Sequence, residues 1–180
     1  MKYLVVSDIH GSRYYAQKLE KIIEKESPDK IILLGDLYYH GPRNPLPKDY
    51  EPKTVAEILN KYKDRILAVR GNCDAEVDQM ISEFKIEENI KLEINRMKFF
   101  FTHGHRYNMN FWPNEEFDVL MYGHFHTGFI KEKDGKLFVS PGSITCPKNN
   151  TKNSYLMIDN DNIILKDIDG NKIDEVNFIK

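Results

Sequence analysis

Cysteine is scarce in this chain, with two residues, Cys73 and Cys146, in 180. That excludes a disulfide-stapled scaffold and a four-cysteine zinc site. Charge of one sign is scarce as well: 26 Lys+Arg stand against 28 Asp+Glu, a formal net charge of −2. Without a long basic block, the chain has no strong nucleic-acid-binding surface of the kind that grips a polymer by neutralising its phosphates. Long apolar runs are missing too. The first, Tyr3-Leu4-Val5-Val6, stops at Ser7-Asp8, short of a signal peptide's apolar region and of a membrane span. The expectation is a cytoplasmic protein with no membrane partner. What is present is a chain 41% hydrophobic and 12% aromatic, long enough for one globular domain, 1–180, with its own core. No repeat, low-complexity tract or linker divides it.

The first seventy residues alternate between two patterns. Short apolar runs at Lys2–Ser7, Lys30–Leu34 and Ile66–Val69 read as buried strands. Between them, Tyr14–Glu26 and Thr54–Asp64 place Leu19, Ile22 and Ile23, then Val55, Ile58, Leu59 and Tyr62, at helical spacing. This β-α-β-α-β order predicts an α/β fold with a parallel sheet and crossover helices. From Leu37 to Pro52 four prolines and a glycine predict a long irregular loop, a type that is usually functional. The second half changes to hairpins, with Asn95-Arg96 and Asp134-Gly135 between apolar runs and three strand candidates from Tyr155 to Phe178. Two packed sheets with helices outside are expected.

The six histidines are His10, His40, His103, His105, His124 and His126. Five of them, together with Asp8, Asp36 and Asn72, follow directly on apolar strands. Open α/β sheets bind ligands beyond the carboxyl ends of their strands, so these sequence-distant loops would meet at one edge. Carboxylates, an amide oxygen and several imidazoles exceed what one ion needs and suit two ions. Oxygen and nitrogen donors without thiolates favour Mn²⁺, Ni²⁺, Fe or Zn²⁺. Two such ions roughly 3.5–4 Å apart can hold a hydroxide between them and clamp an in-line displacement at phosphorus. The residues themselves thus predict a binuclear metal-dependent hydrolase of a phosphate ester.

Asp8-x-His10, Gly35-Asp36, Gly71-Asn72-x-Asp74, Thr102-His103-Gly104-His105 and Gly123-His124-x-His126 stand in the order and strand context of the calcineurin-like metallophosphoesterases, which the chain resembles over essentially its whole length. The loop Gly35–Pro45, the segment Ala68–Met80 and Pro141-Gly142-Ser143 bring it nearest to the YfcE-type phosphodiesterases. The resemblance implies a four-layer α/β/β/α sandwich, a Mn²⁺-dependent phosphodiesterase and a homo-oligomer. It also implies that Asp8, His10, Asp36 and His126 hold one ion and Asp36, Asn72, His103 and His124 the other, with Asp36 bridging. Two departures from the wider superfamily stand out. Cys73 replaces a histidine that helps protonate the leaving oxygen, and Phe125 replaces a threonine.

Cys73, His105, His40 and Arg43 are the further catalytic candidates. Cys73 is expected to line the site rather than to attack. His105 either donates a proton, orients His103 or is structural, and His40 and Arg43 either bind phosphate or organise the proline-rich loop. Tyr38, Tyr39, Tyr107, Phe111, Trp112 and Phe125 could stack on a nucleobase or aryl group, although wall packing is the commoner use of such residues. Cys146 is read as a small buried residue, and Lys148 and Lys152 as solvated surface. The substrate expected is a small phosphodiester, nucleotide-derived forms included. The competing readings are a phosphomonoesterase and a noncatalytic scaffold of the same fold, as in the retromer subunit that resembles this family.

Overall fold

The computed structural model describes residues 1–179. Strands β1 (Tyr3–Val6), β2 (Lys30–Leu33) and β3 (Ile66–Val69) run parallel, joined by helices α1 (Arg13–Glu26) and α2 (Pro52–Asn60). A four-residue helix α3 (Asp78–Ile81) leads into a short strand β4 (Ile86–Glu87), which adds parallel to β3. The remaining strands are β5 (Ile90–Ile94), β6 (Met97–Thr102), β7 (Val119–Tyr122), β8 (Gly128–Lys133), β9 (Lys136–Pro141), β10 (Ser154–Asp159), β11 (Asn162–Asp167) and β12 (Lys172–Asn177). They complete a seven-stranded sheet in the order β12-β11-β10-β1-β2-β3-β4 and a five-stranded sheet in the order β5-β6-β7-β9-β8.

Successive strand side chains point to opposite faces, and this period of two sorts the apolar residues into layers. Leu4, Val6, Ile31, Leu33 and Ala68 face α1 and α2, where Leu19, Ile22, Val55 and Leu59 meet them. Val5, Ile32 and Val69 face the other way and join Phe99, Phe101, Val119, Met121 and Val139 between the sheets. The outer face of the five-stranded sheet buries Phe100, Leu120, Tyr122 and Phe138 with Phe117. The irregular segment 103–118 covers that face, with Trp112 against Phe117 and Phe138 and Tyr107 edge-on to Phe100. Tyr107 and Trp112 are therefore packing residues. Phe111 stays 69% exposed.

Local chemistry explains where the boundaries differ from expectation. Ser12 caps α1 by accepting from the Tyr15 amide at 3.3 Å, and Ser27, at φ 48°, ends it. Helix α2 starts at Pro52 rather than Thr54, because proline suits the first helical turn, and stops at Asn60, giving way to a 3₁₀ turn at Lys63–Arg65. Asn95 and Arg96 both have positive φ, as a two-residue hairpin of the favoured twist requires.

The end of α1 is tied to the sheet by a buried carboxylate. Glu26 accepts from Tyr155 Oη at 2.9 Å and Lys166 Nζ at 2.8 Å, with Lys2 Nζ 3.4 Å away. Burial opposes its ionisation, yet these donors and charges hold its pKa below the ordinary value. Since the folded pKa is the lower one, the stabilisation is complete above the unfolded value of about 4.3 and is lost as pH falls through the folded one. Glu26→Gln should cost roughly 1.5–3 kcal/mol in urea unfolding at pH 7 and progressively less as the pH falls below the ordinary carboxylate range.

Candidate metal centre

The loops leaving β1, β2, β3, β6 and β7 converge because those strands are parallel within their sheets and the two sheets are stacked. They bring together Asp8 and His10, Asp36, Asn72, His103, and His124 and His126. Five of these seven, namely Asp8, His10, Asp36, His124 and His126, adopt φ between 51° and 65°. Left-handed backbone is uncommon for residues other than glycine and costs on the order of 1–3 kcal/mol where it is strained, so its clustering here marks side chains aimed by the fold.

Three imidazoles are oriented by main-chain carbonyls. His10 Nδ1 donates to Tyr39 O at 2.8 Å, His103 Nδ1 to Leu34 O at 2.6 Å and His126 Nδ1 to Cys146 O at 2.6 Å. With each Nδ1 held by a carbonyl, each Nε2 is the ring atom turned inward, where it can carry either a proton or a cation. His10 Nε2 and His126 Nε2 face each other at 3.2 Å, and Asp8 Oδ1 lies 3.6 Å from the first and 3.3 Å from the second. Asp36 Oδ2 lies 3.7 Å from His10 Nε2 and 3.3 Å from His103 Nε2, which is also 3.1 Å from Asn72 Oδ1. The His124 ring stands 5.1 Å from that of His103. Asp8 Oδ1 is fully buried without a hydrogen-bond partner. Lone pairs and carboxylate oxygens crowded in this way repel one another unless a cation lies among them, and imidazole, carboxylate and amide donors suit a divalent transition ion. The donor set fits two such ions.

The electrostatics point the same way. Burial would raise the Asp8 pKa, but His10 and His126 outweigh it and hold the carboxylate well below the usual range. Burial would lower His103, but Asp36 and Asp8 lift it to about 9. His124 lies farther from the carboxylates and is pushed down to about 4 by burial and by His103. Positive charge is favoured between the two aspartates.

Asp74 and Ser143 hold the loops in place. Asp74 is buried and accepts from the amides of Asp36 at 2.8 Å, Leu37 at 2.8 Å and Gly71 at 2.7 Å, pinning the loop after β2 to the loop after β3. Burial and the Asp36 charge push its pKa up to about 6 despite these amides. Gly71 is required by close approach, since a Cβ there would lie 2.1 Å from Asp36 Oδ1. Ser143 Oγ donates to Asp8 O at 2.9 Å and accepts from the Cys146 amide at 2.8 Å. Asp74 and Ser143 fall in the quoted motifs Gly-Asn-x-Asp and Pro-Gly-Ser, which were the available signal for both.

Above the cluster opens a cavity of about 390 Å³, whose lining includes Tyr39, Arg43, Asn72, Cys73, His124 and Lys148. Lys148 is thus part of the site wall and not merely solvated surface. Among the described residues, neither Arg43 nor Lys148 forms an ion pair. Cys73 donates its amide to Asp36 Oδ1 at 2.8 Å, and burial with the neighbouring Asp36 charge drives its thiol up to about 12, so it stays neutral. His105 is exposed, with its ring 5.5 Å from that of His103 and 6.1 Å from that of His124. His40 does not line the cavity. Its ring is held between Tyr39 and Tyr50. Tyr38 is buried, with its hydroxyl 2.7 Å from Ser82 Oγ, whereas Phe125 is 46% exposed beside His124. Cys146 is only partly buried and contributes its carbonyl to His126.

The domain description of the calcineurin-like phosphoesterase superfamily matches residues 1–162. The chain belongs to that superfamily. It is 42% identical over 166 residues to phosphodiesterase YfcE of Escherichia coli, covering 89% of each chain. It is 30% identical over 188 residues to the probable metallophosphoesterase YsnB of Bacillus subtilis, covering 98% of this chain and 96% of that one. The solved structure of the E. coli phosphoesterase YfcE superposes with a TM-score of 0.95 at 35% identity over 99% of this chain and 100% of that one. The α/β sandwich of two sheets is accordingly the calcineurin-like phosphoesterase fold, and metal-binding hydrolase chemistry is the property of the superfamily that the buried cluster fits.

Proposed function

We propose that this chain is a metal-dependent phosphodiesterase acting on a small phosphodiester. The observation that carries the reading is the convergence of His10, His103 and His126 Nε2 on the carboxylates of Asp8 and Asp36, with Asp8 Oδ1 buried and unpartnered. Asp8, His10, Asp36 and His126 would hold one divalent ion, and Asp36, Asn72, His103 and His124 a second, with Asp36 shared. When bound, such ions make water acidic enough to attack at neutral pH and neutralise charge at phosphorus.

The chain's own residues do the rest. The carbonyls of Tyr39, Leu34 and Cys146 fix the imidazole tautomers, and the Cys73 amide fixes the rotamer of Asp36. Arg43 and Lys148 offer charge-assisted donors to the phosphoryl oxygens from the cavity wall. Cys73 supplies a neutral thiol where an imidazole would serve as acid, and His105 stands outside the cluster, beside His103. His40 acts as a support for Tyr39 and not as a phosphate ligand. Mn²⁺ is the working choice among ions that this donor set accepts, and a cytoplasmic, single-domain homo-oligomer is the working form. No helix among the described residues is long and apolar enough to cross a membrane.

Turnover of bis(p-nitrophenyl) phosphate and p-nitrophenyl phosphate with Mn²⁺, Ni²⁺, Mg²⁺ or EDTA tests the proposal. Metal-dependent hydrolysis of the diester in preference to the monoester, abolished by EDTA, is expected. The absence of metal-dependent turnover would favour a noncatalytic scaffold. A general acid typically contributes about 10²–10⁴-fold, and an imidazole donates better than a neutral thiol. Cys73→His should therefore shift selectivity toward the monoester by about ten-fold or more, and unchanged selectivity would remove Cys73 from any role in substrate choice.

A further inference from the structure

Tyr39 is a large aromatic left 45% exposed on the wall of the catalytic cavity. Exposed aromatics are ordinary when they are loose, but this one is not. Its ring stacks on His40 with centroids 4.8 Å apart at 30°, and His40 in turn lies 5.3 Å from Tyr50 at 37°. Tyr50 rests on the backbone at Gly11, where an added Cβ would lie 2.6 Å from its Cε2 and where φ is +72°. Three rings thus rest in series on main chain that no other residue type could supply without displacement.

The pile is also held in register with the metal centre. Tyr39 O accepts from His10 Nδ1 at 2.8 Å, so the residue carrying the exposed ring is the one that orients a candidate ligand. Asn44 Nδ2 donates to His40 O at 2.9 Å and restrains the loop from its other side. One face of Tyr39 is taken by His40, and the residue keeps its exposed surface where it lines the cavity. On the same wall Arg43 and Lys148 carry positive charge with no ion-pair partner among the described residues. A stiff aromatic face beside unpaired cations suits a planar ring attached to a phosphate, and base–aromatic stacking is sequence-tolerant and substantial. Holding the ring in advance spares the ordering cost that a free side chain would incur on binding.

We propose that Tyr39 is a specificity-determining stacking platform for a nucleobase, so that the phosphodiesters this site prefers are those of nucleosides. The inference deepens the phosphodiesterase reading and rests on it for the location of the phosphate.

Calorimetric titration of the Mn²⁺-loaded protein with adenosine 5′-monophosphate and with glycerol 3-phosphate tests the platform without relying on turnover. Both ligands present a phosphate monoester, and only one carries a base. The nucleotide should bind at least about five-fold more tightly. Tyr39→Ala and Tyr39→Leu should abolish that ratio, and Tyr39→Phe should retain it. Equal affinities in the unaltered protein, or a preference that survives in Tyr39→Ala, would overturn the proposal. Diester turnover measured on the same preparations reads the phosphodiesterase reading separately: hydrolysis without a nucleotide preference removes only the platform, whereas a Tyr39-dependent preference without hydrolysis removes only the catalytic reading.

Discussion

Asp36→Asn should lower metal-dependent diester turnover by at least about 10³-fold while leaving the apo protein folded. The expectation follows from what each Asp36 oxygen does. Oδ1 accepts the Cys73 amide at 2.8 Å, a bond that an asparagine oxygen can keep. Oδ2 lies 3.3 Å from His103 Nε2 and 3.7 Å from His10 Nε2, at the place where both proposed ions would share a charge. An amide NH₂ placed there offers no anion, and losing several kcal/mol of charge stabilisation corresponds to roughly three orders of magnitude in rate. Asp36 also sustains positive charge beside it: burial would lower the His103 pKa, and Asp36 is the largest influence holding it up. If Mn²⁺ binds as proposed, it should raise the melting temperature of the unaltered protein by the linkage of binding to stability, and the variant should lose that rise. Circular dichroism with and without Mn²⁺ checks this beside the rate. Retained turnover within ten-fold would show that Asp36 does not bridge.

Asp74→Ala should be the most destabilising polar substitution in the chain. Its two carboxylate oxygens satisfy three buried amides, those of Asp36, Leu37 and Gly71, which an alanine would leave without this acceptor. At about 1–3 kcal/mol for each of three unsatisfied donors, the loss is roughly 3–9 kcal/mol, a large share of the stability of a domain this size. The effect should reach the metal centre, since the same amides set the backbone of the residue whose side chain lies between His10 and His103. Asp74→Asn keeps one oxygen acceptor and should fall between the two. Urea denaturation reads the stability, and Mn²⁺ titration reads the coupling to the site. A cost under about 1 kcal/mol for the alanine would mean that water or a loop shift satisfies these amides.

Much of the site was legible in the sequence because metal ligands are chemically distinctive residues at strand ends. Asp8, His10, Asp36, Asn72, His103, His124 and His126 could be picked out as candidate ligands because they recur together in motif blocks at strand ends; any one of them alone would read as ordinary loop chemistry. The β-α-β-α-β order and the hairpin turns were legible for a similar reason, because periodicity and turn chemistry are local. What was not legible depends on contacts distant in sequence. Lys148 looked like solvated surface because its neighbours are lysine and asparagine, but its amide bonds to His126 O at 2.9 Å and brings it to the cavity. For His40 the sequence left phosphate binding and loop organisation equally open; what it could not show is the stacking of its ring with Tyr39 and its contact with Tyr50. Helix α3 and strand β4 are too short to leave a periodic signal, and β4 is defined by its pairing with β3.

Anomalous diffraction from crystals grown with Mn²⁺ bears most directly on the proposed binuclear centre. Two peaks are expected in each chain, roughly 3.5–4 Å apart, one among Asp8, His10 and His126 and the other among Asn72, His103 and His124, with Asp36 between them. A single peak, or peaks away from Asp36, would contradict the proposed centre.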